Sequence, residues 1–489
     1  MTMQKTNLLY LCGFLLLCGS CKKFLQEKPQ SFLTPDNFYQ TAADASAALN
    51  GVFSGLEAQA YYGRTVWIIS ENSADLLYPS GGNSDRTTLY QNNYTSTNGE
   101  IANWWNSSYK MIKGANDVIA HVPGIKMDVT AQNNILGNAY FLRAMAYFDL
   151  VRSFGDLPLI VAPVVGSTDT TLYAHRSPAS KVYQQIISDL QFAEANCVAE
   201  NKIASGNKGQ VSTGAASAML ARVYLTRAAT AFADPSDNQN TLAECNKVIG
   251  YTYYSLLTNY QDIFDCAKKY GPEHIFCVQF ALPPATGNIT LRMFTPSALG
   301  GSASFFCQND FFNNGYTAAD SIRKNWNIAN KAKSITTGQV VSATPFFYKY
   351  RDSLWTNQSN NSRVNWIVLR LADVYLMQSE AMNNIDPTDP AKFNGLNKVR
   401  TRAGLTDPTQ QLNITNTPTS AAFVDSLVAD RARELCAEGE RRWDLIRLGR
   451  FKQRMATLNI AIDDNHLLFP IPQSEVQVNK NLTQNPGFN

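Results

Sequence analysis

The chain of 489 residues carries 42 basic and 39 acidic side chains, interspersed to a net charge of +3. That balance excludes the one-sided field that would hold a nucleic acid or a charged membrane surface. An apolar fraction of 45% excludes a disordered chain and suits one large or several ordinary domains; charged residues are sparse at 17%, and Asn, Thr, Ser and Gln take their place, as in exported proteins that meet neutral polar ligands.

The N-terminus points to export. Lys5 precedes an apolar core over residues 8–17, too short to span a bilayer permanently, and small residues follow it, the pattern of a secretory signal. Cys18 and Cys21 form a CxxC, but their place at the end of an apolar core argues against redox or zinc chemistry. The stretch Leu17-Cys18-Gly19-Ser20-Cys21 resembles a bacterial lipobox, in which Cys21 becomes the lipidated N-terminus and residues 1–20 are removed. Acyl chains there would hold the chain to a membrane surface by about 0.8 kcal/mol per buried methylene. Six cysteines remain, and a chain of this size needs no disulfide staples; they read as buried small apolar residues, with their pairing left open.

Residues 21–35 read as a polar tether and 36–59 as an alanine-rich helix. Residues 61–101 break the pattern, with turn chemistry at Pro79-Ser80-Gly81-Gly82-Asn83, and read as a long aromatic-rich loop region. Helical periodicity returns over 104–121, 131–154, 178–197, 213–231 and 241–248. Helix pairs with short linkers suggest a tetratricopeptide-like array, although no repeat consensus is legible. Residues 275–280 read as a strand, and the segment to 362 as a second loop region rich in Gly, Ser, Asn and Phe. Helices are predicted again at 368–384, 391–403 and 423–448, followed by a helix-free tail from 468.

Residues 431–450 hold six arginines and four acids on what reads as one helix. Val428, Ala432, Leu435, Gly439, Trp443 and Ile446 recur at steps of three and four, an apolar stripe. Glu434, Glu438, Arg441 and Arg442 follow the same spacing, so opposite charges are expected to pair along the helix surface. The reading is a clamp that ties this helix to the body, with Trp443 and Leu435 facing inward.

Catalytic constellations are missing from the sequence. His121, His175, His274 and His466 are far apart without metal-ligand spacing, and neither a nucleophile elbow nor a phosphate loop occurs. No cofactor and no metal are expected, and a structural calcium in the loop face has no dedicated calcium loop to support it. Recognition of a neutral polar ring compound needs flat apolar faces for its C–H side and planar polar groups for its hydroxyls. The first loop region offers both in Tyr78, Asn83, Asp85, Arg86, Tyr90 and Tyr94. The second offers Phe294, Phe305, Phe306, Asn309, Tyr316 and Trp326. The strongest candidates are Tyr78, Tyr90, Tyr94 and Trp326, which lie in irregular polar segments.

Several blocks together resemble the SusD/RagB family of outer-membrane nutrient-binding lipoproteins. They are Cys21 to Leu25 with Pro29; Phe141-Leu142-Arg143-Ala144 leading to Phe154-Gly155-Asp156-Leu157-Pro158; Ala215 to Tyr224; Val368 to Leu376 with Glu380; and Asn397 to Gly404. The charged stretch matches the family's ERxxELxxEGxRxxDLxR pattern, and the tail matches its closing motif at Phe469-Pro470-Ile471-Pro472 and Asn485-Pro486-Gly487. Asp430 stands where Glu is usual, and Cys436 and Arg442 occupy positions that vary or are typically aromatic. The resemblance covers nearly the whole chain. It implies a mainly α, SusD-like fold with four tetratricopeptide-like helix pairs and a loop-rich ligand face, as one domain over 36–489 with an N-terminal part to about 270 and a C-terminal part from about 271. It also implies a cell-surface, lipid-anchored protein of a Gram-negative outer membrane, without catalysis, that passes oligosaccharide to a SusC-like TonB-dependent transporter. Peptide as the ligand, and a surface scaffold that binds no nutrient, stay open as alternatives.

Overall fold

The structure, a computed structural model, describes residues 35–166 and 168–488. The expected signal peptide, the lipidated Cys21 and nearly all of the tether lie outside them. Met1–Gln40 and Thr41–Asn489 are separate units. In the first, a single helical turn spans Pro35–Phe38. Everything below concerns the second.

Helix α1 (Ala42–Leu56) opens on a capping box, in which the Thr41 side chain accepts from the Asp44 N–H while Asp44 accepts from Thr41. It packs on α4 (Gly99–His121), reached through a short helix α2 (Thr65–Ser70), a strand β1 (Leu77–Pro79) and a helix α3 (Ser84–Gln91). Helix α4 packs on α5 (Val129–Phe154), α5 on α6 (Ala179–Asn196), α6 on α7 (Thr213–Arg227), and α7 on α8 (Asp237–Gly250). Strand β2 (His274–Val278) leaves this array, and β3 (Phe305–Cys307), α9 (Asn309–Asn314), α10 (Ser321–Asn327), β4 (Ile328–Lys333) and β5 (Val340–Phe347) follow. Strand β6 (Trp366–Arg370) brings the chain back by pairing antiparallel with β2. The second loop region is therefore an excursion closed at its base by one ladder. Helix α11 (Leu371–Ile385) then packs on α8, on α12 (Phe393–Arg402) and on α13 (Ser420–Leu435). Helices α14 (Arg441–Arg447), α15 (Phe451–Ala456) and α16 (Gln473–Val478) complete the chain.

The body is mainly α, a succession of packed helices, and among the described residues its strands form two-stranded ribbons: β1 with β3, β2 with β6, β4 with β5, and a short pair joining 157–158 to 176–177. Helix α5 is buried along most of its second half, from Phe141 to Phe154 with few gaps, which places it in the centre of the array. None of the described helices is long and apolar enough to cross a membrane. All six described cysteines are free thiols, five of them buried, and act as packing residues.

Three expectations are corrected. Residues 61–101 are not a loose loop: Tyr61, Tyr62, Trp67 and Tyr94 are buried, and three short elements occupy the segment. Aromatic density here marks core, because the rings fill the gap between α1, α4 and the excursion. The tail is not helix-free, since α16 lies within it.

The charged stretch is not one helix. Helix α13 ends at Leu435, and Ala437 and Gly439 take left-handed backbone angles (φ 60° and 92°) before α14 begins at Arg441. A helical Gly439 would keep the stripe in register; a left-handed one turns the chain. Glu71 holds that turn by accepting from the N–H groups of Gly439 at 2.8 Å, Ala437 at 3.3 Å and Arg441 at 3.4 Å.

The charges are consequently buried and pair across elements, not along a surface. Glu434 accepts from Arg370 at 2.7 Å and Arg323 at 3.3 Å, and also pairs with Arg402. Arg431 bridges Asp373 and Asp444, each at 2.7 Å. Glu440 takes Arg152 of α5 at 2.8 Å and Arg222 of α7 at 3.0 Å. Arg441 forks onto Asp75 at 2.7 and 2.8 Å. The expected clamp is present, with Leu435 and Trp443 both 6% exposed, but it works as a buried network that ties array, excursion and tail together. Burial alone raises the Glu434 carboxyl, and the guanidiniums of Arg402, Arg370 and Arg323 outweigh it, leaving it lowered to about 2.

Candidate functional site

Two stretches far apart in sequence meet where β1 pairs with β3. The register sets Leu77 opposite Cys307, Tyr78 opposite Phe306 and Pro79 opposite Phe305. Side chains alternate along a strand. Leu77, Phe305 and Cys307 point inward and are at most 1% exposed, while Tyr78, Phe306 and Gln308 are half-buried. Behind the ladder Trp67 packs between Phe294 and Phe305, with ring centroids at 4.7 and 4.8 Å, and its indole N–H donates to Thr290 at 3.1 Å. The outward rings thus stand on a closed aromatic core.

On the outer side the Tyr78 ring lies 5.6 Å from Phe306 and 6.5 Å from Tyr90, tilted by 41° and 49°. Tyr90 comes from α3, and its hydroxyl accepts from the Gln308 carboxamide at 2.8 Å. Burial raises the Tyr78 phenol, with smaller contributions from Cys307 and Tyr90, so it is a neutral donor and acceptor at physiological pH. The result is a half-exposed platform of three rings bordered by a carboxamide. That arrangement is suited to contact with a polar ring compound through C–H faces and hydroxyls.

The remaining polar candidates of the first stretch hold this platform in place. Asn83 is exposed and caps α3 by accepting from the Arg86 N–H at 3.0 Å. Asp85 accepts from the N–H of Gly99, the first residue of α4, at 3.1 Å. Arg86 donates to Glu100 at 3.2 Å and lies 5.6 Å over the Phe305 ring. Asp85 and Arg86 are therefore committed to docking α3 against α4. Of the set, Asn83 alone is exposed.

Tyr94 is corrected by its position, and Trp326 has a cation over its ring. Tyr94 is 2% exposed; its ring stacks on Phe488 at 5.9 Å and its hydroxyl bonds the His466 carbonyl and the Arg442 guanidinium. It belongs to the core that anchors the tail and offers no face to a ligand. Trp326 is half-buried, and the Arg351 guanidinium covers its ring at 3.6 Å, continuing onto Tyr348 at 4.0 Å. Among the described residues no ring contact joins it to Tyr78 or Tyr90. Phe294, Phe305 and Tyr316 are core as well. Sequence reasoning misses Gln308. No alternation marks it in the sequence, where Phe305, Phe306 and Cys307 are all apolar; the alternation shows only in the burial of the folded strand.

Among the described residues no group of three or more His, Cys, Asp or Glu side chains is placed to hold a metal ion. The large acid and base clusters are engaged with each other.

Comparison with known proteins covers most of the chain. Residues 302–488 match the model of the SusD family, and residues 23–225 match a model described as starch-binding associating with outer membrane. SusD-like protein P25 of Formosa agariphila is 26% identical, with 100% of this chain and 99% of that protein covered. A SusD superfamily protein from Parabacteroides distasonis is 25% identical and superposes with a TM-score of 0.80, covering 94% of this chain and all of the other. A laminarin-binding SusD-like protein, 23% identical, has the same fold, with a TM-score of 0.75 over 92% of this chain and all of its own.

Proposed function

The chain belongs to the SusD/RagB family, and from that premise we propose that it is a binding protein, not an enzyme, which captures oligosaccharide on the platform of Tyr78, Tyr90 and Phe306. One observation carries the reading: these three rings are half-exposed on a rigid aromatic core, while Gln308 presents a carboxamide at their edge. A flat ring desolvates the C–H face of a sugar at little entropic cost, because an aromatic side chain has few rotatable bonds. Carboxamides donate and accept at once, as sugar hydroxyls require. The family model described as starch-binding and the laminarin-binding neighbour support glycan over peptide as the ligand class. No described polar cluster near the platform is free to act as acid and base, which supports capture without cleavage.

The finer reading places the chain on the outer membrane through a lipid on Cys21, delivering glycan to a SusC-like TonB-dependent transporter. Its support is the lipobox-like stretch and the outer-membrane association in the family description.

The test is titration of the full-length chain in detergent with laminari-oligosaccharides and malto-oligosaccharides, read by calorimetry and aromatic fluorescence. Saturable binding that disappears in the Tyr78→Ala/Tyr90→Ala variant, with an unchanged unfolding midpoint, is the expected result. Binding that persists in that variant would remove the platform from the site. Saturable binding of a peptide digest in place of both glycans would move the ligand class to peptide. Delivery is tested separately, by glycan uptake in cells that lack the chain.

A further inference from the structure

Beside the platform's ladder, on the other side of α9, the structure holds a cavity of about 350 Å³ between α9, α13 and α15, open to solvent. Its size is at the lower end of small-molecule pockets, room for a single sugar unit and not a chain. Helix α13 supplies one face of itself, from Asp425 through Val428 and Ala432 to Arg433. Phe311 forms an apolar patch in the wall.

Four guanidiniums line this space: Arg433, Arg441, Arg450 and Arg454. Their counter-charges are unequal. Arg441 and Arg454 share the single carboxylate of Asp75, each at 2.7 Å. Arg450 pairs with Asp425 at 2.7 Å near the mouth, where Asp425 is largely exposed. Arg433 reaches only Asp430, at 3.7 Å. That carboxylate is already held by Arg400 at 2.6 Å and Arg323 at 3.2 Å. The Arg433 Nε is buried, and nothing among the described residues accepts its hydrogen bond. The remaining acid in the wall, Asp310, is exposed and accepts from Asn314 at 2.8 Å. The wall itself thus carries four guanidiniums and two carboxylates, Asp310 and Asp425, while Asp75 and Asp430 lie behind it and are each shared among several arginines.

A structural role accounts for Arg441 and Arg454, whose carboxylate lies beneath them, and for Arg450. It does not account for Arg433. The carboxylate nearest to Arg433 is 3.7 Å away, whereas its three neighbours in the wall each reach one at 2.7 Å, so its charge is the least closely matched of the four.

We propose that this cavity is a second ligand site, which takes the anionic group of an acidic sugar, a carboxylate or a sulfate ester, against Arg433. The anion meets the partly exposed part of the Arg433 side chain and offsets the positive charge of the wall. The exposed side chains of Asn314, Gln453 and Thr457 at the rim meet the sugar hydroxyls. The sugar part of this assignment rests on the glycan reading above; the anion part rests on Arg433 alone. Acidic sugar units are thereby distinguished from neutral ones at a position separate from the platform.

The full-length chain in detergent is titrated by calorimetry with glucuronate, glucose 6-sulfate and glucose. At least one acidic sugar is expected to bind tenfold or more tighter than glucose, and the pair distinguishes carboxylate from sulfate ester. Arg433→Gln abolishes that preference. Thr457→Trp, which fills the mouth from an exposed position, abolishes it with no change in unfolding midpoint, and so separates the site from any folding defect in Arg433→Gln. Equal affinities for the three sugars, or a preference that survives Thr457→Trp, overturn the proposal. A preference lost in Tyr78→Ala overturns it too, by placing the acidic sugar on the platform. Neutral oligosaccharide binding with no acidic preference defeats this inference and leaves the proposed function standing. An Arg433-dependent preference without neutral binding does the reverse.

Discussion

Two regions of this protein are built from the same kinds of residue and do opposite things. The turn between α13 and α14 gathers arginines, acids and an aromatic, and nearly every group there is buried against a partner inside the chain. The ladder of β1 and β3 gathers tyrosines, a phenylalanine and a carboxamide, and keeps half of that surface open. The difference teaches that residue type does not mark a site. What marks it is whether the folded chain has already used the residue's capacity for contact.

The largest test of this contrast is Arg441→Ala. It leaves Asp75 buried with only Arg454 and takes one donor from the Val428 carbonyl. Breaking a buried pair from one side costs about 3–5 kcal/mol. Denaturant unfolding should register a loss of that size, while affinity of the folded protein for neutral glycan on the platform stays the same. Lost affinity at wild-type stability would exchange the roles of the two regions. Tyr78→Ala should do the opposite, weakening glycan binding by about 2 kcal/mol, roughly thirtyfold, as for a truncated aromatic anchor, with little change in unfolding.

A smaller effect concerns pH, and it acts within the network. Burial raises the Glu71 carboxyl to about 7, against lowering by the N–H groups of Gly439 and Arg441. Burial likewise raises Asp444 to about 6, opposed by Arg431. The folded state then holds protons that the unfolded chain has released, so stability falls as pH rises from about 4.5 to about 7. Asp75 is lowered to about 2, because Arg441 and Arg454 outweigh its desolvation, and with Glu434 it gives the opposite limb, lost as pH falls from about 4 toward 2. Glu71→Gln should flatten the first limb by about 3 kcal/mol, since each tenfold change in proton affinity between the folded and unfolded chain is worth about 1.4 kcal/mol. Unfolding midpoints at pH 4.5, 6 and 8 measure it; an unchanged slope would show that Glu71 is ionised in the fold at all three.

The smallest effect separates two tyrosines that look alike in sequence. Tyr94→Phe removes a hydroxyl bonded to Arg442 and His466 and should cost about 1 kcal/mol of stability without touching affinity. Tyr78→Phe should leave stability unchanged. A drop in glycan affinity for Tyr94→Phe, measured beside its stability, would return Tyr94 to the ligand face.

Much of the fold is legible in the sequence. The long helices can be read within a few residues because the stripe of α5 or α8 repeats over several turns, and strand β2 shows in its apolar run. The excursion is legible only as irregular, since β3 and α9 are three and six residues long and give periodicity no room to show. The candidate site is half legible. The sequence singles out Tyr78 and Tyr90, but it cannot separate Tyr94 and Trp326 from them, because all four sit in irregular polar segments and burial depends on what packs from elsewhere. Residues 431–450 are legible as a clamp and read wrongly as one helix, because Gly439 fits the apolar stripe in sequence and breaks it in space.

The sequence by itself determined the helical array, the family and the expectation of export, all carried by local patterns: periodicity, motif order and an apolar core near the N-terminus. Tertiary structure alone decided which aromatics face outward and which charges are spent. The reason is that both depend on contacts between distant segments, such as Tyr78 with Phe306, Arg441 with Asp75 and Glu440 with Arg152, and no local pattern carries information about a partner hundreds of residues away.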